Sequence, residues 1–326
     1  MQSIGSKVIV KRLLFFLTLI FLLGLPASIR LVEIQKIPIG NNLIVEKGHG
    51  INSIIDSLKN RNNNKFLTIL KLKYLFESTN IIPGRYEIKP SMTYAELIED
   101  IFEGNLQQFR FTIIEGSVAK DALKKLRQII KNNNLNFQIS SRTLEIFSKE
   151  SLILPDTYFF TDRQQLERLM INQKIRLDNI LTRLWENKPK DNPLRTMNEA
   201  LVLASIVERE AAVEWERAQI SSVFLSRIRD GWRLDADPTL IYGYYGDFSK
   251  KITKENLKAV KGDNNPFNTY KIKGLPPRPI CYPSLSSIKS VIMSSPGEYF
   301  FFVAKGDGTH IFSKTLDEHN KAVNNR

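Results

Sequence analysis

Apolar and polar positions change rhythm several times along this chain. The first run is uncharged. Residues 13–29 read LLFFLTLIFLLGLPASI, with Lys7, Lys11 and Arg12 before it and Arg30 after it. As a helix this run rises roughly 26 Å, the short end of a membrane crossing. Its densest part, residues 13–25, also has the length of a signal-peptide core. Leu25 precedes Pro26 and Ala27, so a bulky residue stands where a cleavage site wants a small one. The balance favours an uncleaved anchor with a cytoplasmic N-terminus, which places everything after about residue 30 outside the cytoplasm.

Beyond the anchor the periodicity becomes mixed. "NNLIVEKGHGINSIIDSLKN" predicts a strand, a Gly-containing turn and a helix carrying Ile51, Ile54, Ile55 and Leu58 at i, i+3, i+4, i+7. Residues 61–78 predict a second helix, and Pro83-Gly84 punctuates the way into a short strand. Thr93 and Glu96 form a capping-box pattern ahead of Leu97, Ile98, Ile101 and Phe102, and Gly104 stops that helix. A module of this size suits either binding of an extended polymer or a spacer packed on its neighbour.

A β-rich run, residues 109–114, restarts the pattern, followed by Gly116 and a helix. Residues 132–142 are polar and loop-like. "SLILPDTYFF" predicts an ordered turn bringing Asp156 and Tyr158 together. Helical periodicity covers 163–186, and Thr196 with Glu199 opens a long helix that runs to Gly231, with a possible break at Glu214–Glu216. Asp235 to Pro238 read as an acidic turn before an aromatic cluster. "NNPFNTYKIKGLPPRPICYPS" has little periodicity, as in a long loop that lines a site or covers a core. The tail predicts a hairpin turning at Gly306-Asp307-Gly308. The expected class is α+β: cytoplasmic tip and transmembrane helix over 1–30, a small α+β module over 31–105, and a larger mixed α+β domain over 106–326.

Composition narrows the chemistry. Of 326 residues, 42% are hydrophobic and 25% charged, which excludes wholesale disorder. Cys281 is the only cysteine, so a disulfide framework and a cysteine-built zinc site are excluded. His49, His310 and His319 form no metal-ligand spacing, and no metal or other cofactor is expected. Lys and Arg number 47 against 34 Asp and Glu, a net charge of +13. That surplus suits nucleic acid, anionic lipid or an acidic polymer, or simply reflects a basic proteome. The anchor argues against nucleic acid. No G-x-S-x-G is present, which disfavours a serine hydrolase.

The long helix holds the candidate chemistry. Leu203, Ile206, Val207 and Glu210 fall at i, i+3, i+4, i+7 on one stripe, while Glu208 lies roughly 160° around the axis from Glu210. A carboxyl on an apolar face is partly desolvated, so its pKa rises. A carboxylic acid still protonated near neutral pH is what general-acid cleavage of a glycosidic bond requires. The competing reading pairs this Glu with Arg209, Arg217 or Arg227 as a structural ion pair. Asp156, Tyr158, Asp237, Asn268 and Tyr270 are further candidates, since Asn, Asp and Tyr offer partners for sugar hydroxyls and acetamido groups. Core packing or turn capping is the competing role for each.

The sequence resembles the YceG-like family of membrane-anchored endolytic murein transglycosylases over nearly its whole length. The segments that carry the resemblance are ILPDTY (153–158), ASIVERE (204–210), ER (216–217), VFLSRIRDGWRLDADPTLIYG (223–243), NPFNTY (265–270), GLPPRPI (274–280) and FSKTLDEHN (312–320). Residues 84–104 resemble the family's LysM-like portion. Ser151, Leu152, Leu154, Arg278 and Val291 depart from the family pattern. The family's catalytic glutamate falls on Glu210, with Glu208 in a supporting, substrate-side role. The resemblance implies cleavage of the β-1,4 bond between N-acetylmuramic acid and N-acetylglucosamine in nascent strands, leaving 1,6-anhydro ends and terminating polymerisation. It also implies an inner (cytoplasmic) membrane location and partnership with cell-wall synthases such as penicillin-binding proteins. The alternative is a non-catalytic, membrane-tethered peptidoglycan-binding scaffold for those synthases.

Overall fold

The computed structural model describes residues 15, 18, 24–38, 42–74, 80–253, 255 and 257–325. Most of the uncharged run at 13–29 lies outside them. Residues 24–33 are helical. Among the described residues no helix is long and apolar enough to cross a membrane. The chain divides into two compact units, Met1–Gln108 and Phe109–Arg326.

In the first unit, strand β1 (Leu43–Val45) pairs antiparallel with β2 (Gly84–Tyr86), Leu43 opposite Tyr86. Helix α1 (Ile51–Asn62) buries Ile51, Ile54, Ile55 and Leu58, the stripe its sequence spacing marks. The expected second helix over 61–78 is instead broken at its start. Asn63 adopts a left-handed conformation, φ 49°, and the Asn64 side chain accepts a hydrogen bond from the Phe66 N–H at 3.1 Å. A 3-10 turn (Lys65–Ile69) and the short α2 (Leu70–Lys73) follow. Asn tolerates that backbone region and bonds to nearby main chain, so the three asparagines turn the chain rather than extend it. Helix α3 (Tyr94–Glu103) opens on a closed Thr93–Glu96 capping box and ends at Gly104, φ 75°. Tyr86, Leu97, Ile98 and Ile101 complete the core of this unit.

The second unit contains two hydrophobic clusters. In one, β3 (Phe109–Thr112) pairs antiparallel with β4 (Thr157–Phe160) beside α4 (Ala119–Asn132), α5 (Ser141–Ile146) and α6 (Arg163–Glu186). Phe111, Leu126, Phe160 and Met170 are fully buried there. The segment around Pro155, expected as a turn, leads directly into β4.

The other cluster centres on α7 (Met197–Glu210), α8 (Arg217–Arg229) and α11 (Leu285–Met293). Thr196 caps α7 by accepting from the Glu199 N–H at 3.1 Å. The Glu199 carboxylate reaches back to the Arg195 N–H at 2.6 Å. The single long helix expected up to Gly231 breaks after Glu210. Ala211 turns extended, φ −78° and ψ 110°, and a 3-10 turn at Glu214–Glu216 precedes α8.

Periodicity gave no sign of α9 (Asp237–Tyr245), which starts with Pro in its first turn, nor of α11. Pro238 is pre-set for a first helical turn, so the acidic turn before it is a helix start. The short α10 is Leu257–Gly262. The tail hairpin forms from β5 (Phe301–Ala304) and β6 (His310–Ser313), and α12 (Leu316–Asn324) follows it.

Candidate active site

Helix α7 delivers Glu210 as its last residue. Upstream, Leu203, Ala204, Ile206 and Val207 are fully buried, which anchors the helix in the core. Its end turns toward a cavity of about 450 Å³, lined by Glu210, Arg227, Asp235, Asp237, Tyr270 and, from the hairpin, residues including Phe301 and His310. A slightly larger hollow of about 490 Å³ lies along α4, bounded by residues such as Arg127, Leu135 and Phe137, and contains no carboxyl.

Burial pushes the Glu210 carboxyl up to about 8, and the negative charge of Asp237 adds to the effect, while Arg227 and Arg209 oppose it. A carboxylate at a helix C-terminus also faces the negative end of the helix dipole, which works in the same direction. Among the described residues, no cation lies within ion-pair distance of Glu210, and no protein group hydrogen-bonds its carboxyl. The three arginines that could have neutralised it are engaged elsewhere. Arg209 lies 4.0 Å from the ring centre of Phe248. Arg217 pairs with Glu208 at 2.8 Å. Arg227 donates to the Phe300 carbonyl at 2.8 Å and to that of Leu234. Arg227 is itself nearly buried, and desolvation lowers its pKa.

Asp237 and Tyr270 sit together in the same cavity. The Tyr270 hydroxyl donates to Asp237 Oδ1 at 2.8 Å. Burial, with Asp237 next, raises the Tyr270 phenol, so it stays a donor. Asp237 is the first residue of α9, where the helix dipole favours its negative charge. The Asp237 charge beside the cavity adds to the burial that keeps Glu210 neutral.

The remaining candidates lie elsewhere. Glu208 is buried on the opposite side of α7, and its Oε2 accepts from Arg217 Nη1 (2.8 Å), the Ser284 N–H (2.9 Å), Ser284 Oγ (2.6 Å) and Ser287 Oγ (2.7 Å). Burial opposes its charge, but the Ser284 and Ser287 hydrogen bonds and Arg217 win and lower its pKa. Glu208 thus ties α7 to the start of α11. Tyr158 is buried in the β3–β4 core, and its hydroxyl donates to the Leu154 carbonyl. Asp156, two residues before it, is exposed and accepts from the Thr157 N–H at 2.7 Å. Asp156 lies just ahead of β4, exposed, while Tyr158 is held in the core; the Asp156 charge still reaches the Tyr158 phenol and, after burial, helps to push it up. Asn268 is fully buried; its amide donates to the carbonyls of Lys261 and Asp263, and its oxygen accepts from the Tyr270 N–H at 3.1 Å. It shapes the loop that presents Tyr270.

Sequence spacing did not bring His310 into the cavity. It arrives on β6, and Nδ1 and the backbone N–H of His310 bind Glu216 at 2.7 and 2.9 Å. Among the described residues no group of His, Cys, Asp and Glu side chains is arranged to hold a metal ion.

Fold and site together define an α+β protein built around a desolvated carboxyl, without an ion-pair partner among the described residues, in an open cavity. The chain belongs to the YceG-like family, whose model matches residues 43–325. It is 26% identical over 308 residues to the endolytic murein transglycosylase of Bacillus subtilis, covering 86% of this chain and 83% of that protein. It is 28% identical over 176 residues to the endolytic murein transglycosylase of Streptococcus pneumoniae strain D39, where the match spans 53% of this chain but only 31% of the longer relative. The crystal structure of a yceG-like protein from Listeria monocytogenes superposes with a TM-score of 0.51 at 25% identity, covering 86% of this chain and 98% of that one.

Proposed function

We propose that this protein is an endolytic murein lytic transglycosylase. The observation that carries the reading is Glu210: a carboxyl held near the protonated state at neutral pH, without an ion-pair partner, at the edge of a cavity in a family whose curated relatives carry that name. In the proposed reaction, Glu210 gives its proton to the glycosidic oxygen between N-acetylmuramic acid and N-acetylglucosamine. The C1–O bond breaks, its electron pair leaves with that oxygen, and an oxocarbenium-like centre develops at C1 of the muramyl sugar. The C6 hydroxyl of the same sugar forms the new bond to C1 and returns its proton to the Glu210 carboxylate. Atoms balance without water or cofactor, and the product is a 1,6-anhydro end. One carboxyl serves both steps because the nucleophile is intramolecular and already in place. Burial, with the Asp237 charge beside it, keeps Glu210 protonated before each turnover.

The finer reading follows from the sequence. The run at 13–29 anchors the protein in the inner (cytoplasmic) membrane, with the N-terminus cytoplasmic and both units outside. Residues 31–105 serve as a LysM-like module on the glycan. Cutting nascent strands beside penicillin-binding synthases would end their polymerisation. The test is product analysis: the full chain, purified in detergent, acts on uncrosslinked glycan strands, and mass spectrometry reads the new ends. Internal cuts with anhydro-muramyl ends are expected. Strands bound but left intact would replace the enzyme with a tethering scaffold, and reducing ends would mean that water, not the C6 hydroxyl, attacks.

A further inference from the structure

Glu216 is 1% exposed and has no Lys or Arg within ion-pair distance among the described residues. A buried carboxylate of this kind is costly unless it is fully hydrogen-bonded. One residue satisfies both of its oxygens. The backbone N–H of His310 donates to Oε1 at 2.9 Å, and the ring Nδ1 lies 2.7 Å from Oε2. A carboxylate only accepts, so the tautomer that completes this pair is the one with the ring proton on Nδ1. The His310 ring is nearly buried, at 9% exposed, and is fixed further by the Phe302 ring 5.3 Å away, edge to face. Yet His310 lines the same cavity as Glu210. With Nδ1 committed, Nε2 is the ring's remaining polar atom, and it has no protein hydrogen-bond partner among the described residues. A carboxylate that locks one imidazole nitrogen so that the other faces a ligand is a recurrent way to orient histidine.

We propose that His310, oriented by Glu216, is a substrate-positioning residue of the Glu210 cavity, and that its Nε2 meets a hydroxyl of the sugar bound there. A hydroxyl both gives and takes hydrogen bonds, so it suits the one nitrogen left unsatisfied. The inference rests on the proposed reaction and names a contact within it. The Glu216–His310 tie does more than pin the hairpin, because the backbone N–H alone would pin it.

Two variants separate these roles. Glu216→Gln is isosteric. The His310 backbone N–H holds the amide oxygen in place, so the amide NH₂ falls opposite Nδ1, which can no longer donate. The ring must move its proton to Nε2 or rotate. His310→Gln removes the imidazole and keeps the backbone tie. Each variant should lower kcat by about tenfold with KM little changed, the loss of one hydrogen bond made at the reacting sugar, while the melting temperature holds. Wild-type kcat in both variants would overturn the proposal. If either variant fails to fold, histidine-labelled NMR on the full-chain Glu210→Gln protein decides. The chain has only three histidines, His49, His310 and His319. Added uncrosslinked glycan strands should move the His310 Nε2 resonance and leave His49 in place. Strands that shift His319 but not His310 would refute the contact and leave the reaction standing. Failure of the wild-type protein to make anhydro ends would instead remove the reaction, whatever His310 does.

Discussion

At the scale of single residues, the chemistry rests on where Glu210 sits. Burial and the Asp237 charge hold Glu210 near 8. Below that value it is an acid ready to donate, and above it the proton is gone. Anhydro-end formation should therefore fall as pH rises through about 8, which a pH–rate profile measures directly. Asp237→Asn removes a charge that raises the Glu210 pKa, so the alkaline limb should move to lower pH. An unmoved limb would separate Asp237 from Glu210. The same shift has a consequence for stability. A carboxyl whose folded pKa lies above its unfolded value contributes stability below the unfolded pKa, and that contribution is lost as pH rises through the folded one. Glu210→Gln should thus melt above the wild type at pH 9, by on the order of 10 °C at ~2–4 °C per kcal/mol for a domain of this size, and the gap should close toward pH 4.

At the scale of elements, the helix that presents Glu210 depends on its neighbour Glu208. Four donors converge on one buried carboxylate oxygen and join α7, α8 and the start of α11. Glu208→Ala leaves Arg217 buried without its partner, and a loss of about 3–5 kcal/mol is expected in denaturant unfolding. The Glu208 pKa is lowered, so its stabilisation is present above the ordinary carboxylate range and disappears as pH falls through the depressed value. An acid titration of Glu208→Gln should be correspondingly flatter than that of the wild type.

Much of this element structure could be read from the sequence wherever local rules decide. The Thr93–Glu96 capping box, the stripe on α1, the helix over 163–186 and the end hairpin all follow from short-range spacing. Glu210 ends its apolar stripe because helical periodicity holds through the last turn of α7. The helix breaks at Ala211, a turn ahead of the Glu214–Glu216 stretch where the sequence pattern places it. Tyr158 went to the core because it lies in β4, while Asp156, just ahead of the strand, stays exposed. The partnership of His310 with Glu216 spans 94 positions, beyond any local pattern. Its trace in the sequence was a Glu before Arg217 and a His in the second strand of a hairpin.

At the scale of the whole molecule, the two units have separate hydrophobic cores. Leu97 is fully buried in the first. Leu97→Ala should cost that unit about 2–5 kcal/mol. The uncharged run at 13–29 belongs to this scale too. Cell fractionation should place the full chain with the membranes, extractable by detergent but not by high salt, and removal of residues 1–30 should release it. A full chain recovered as a soluble cytoplasmic protein would reopen a nucleic-acid role for its net charge of +13. All these levels converge on one proton at one carboxyl. The most direct measurement is the yield of 1,6-anhydro-muramyl ends from uncrosslinked glycan strands at pH 7, wild type beside Glu210→Gln, with both proteins checked to be folded at the assay temperature. The expected result is abundant anhydro ends from the wild type and a loss of at least about a hundredfold in the variant. Equal yields from the two proteins would contradict a proton donated by Glu210.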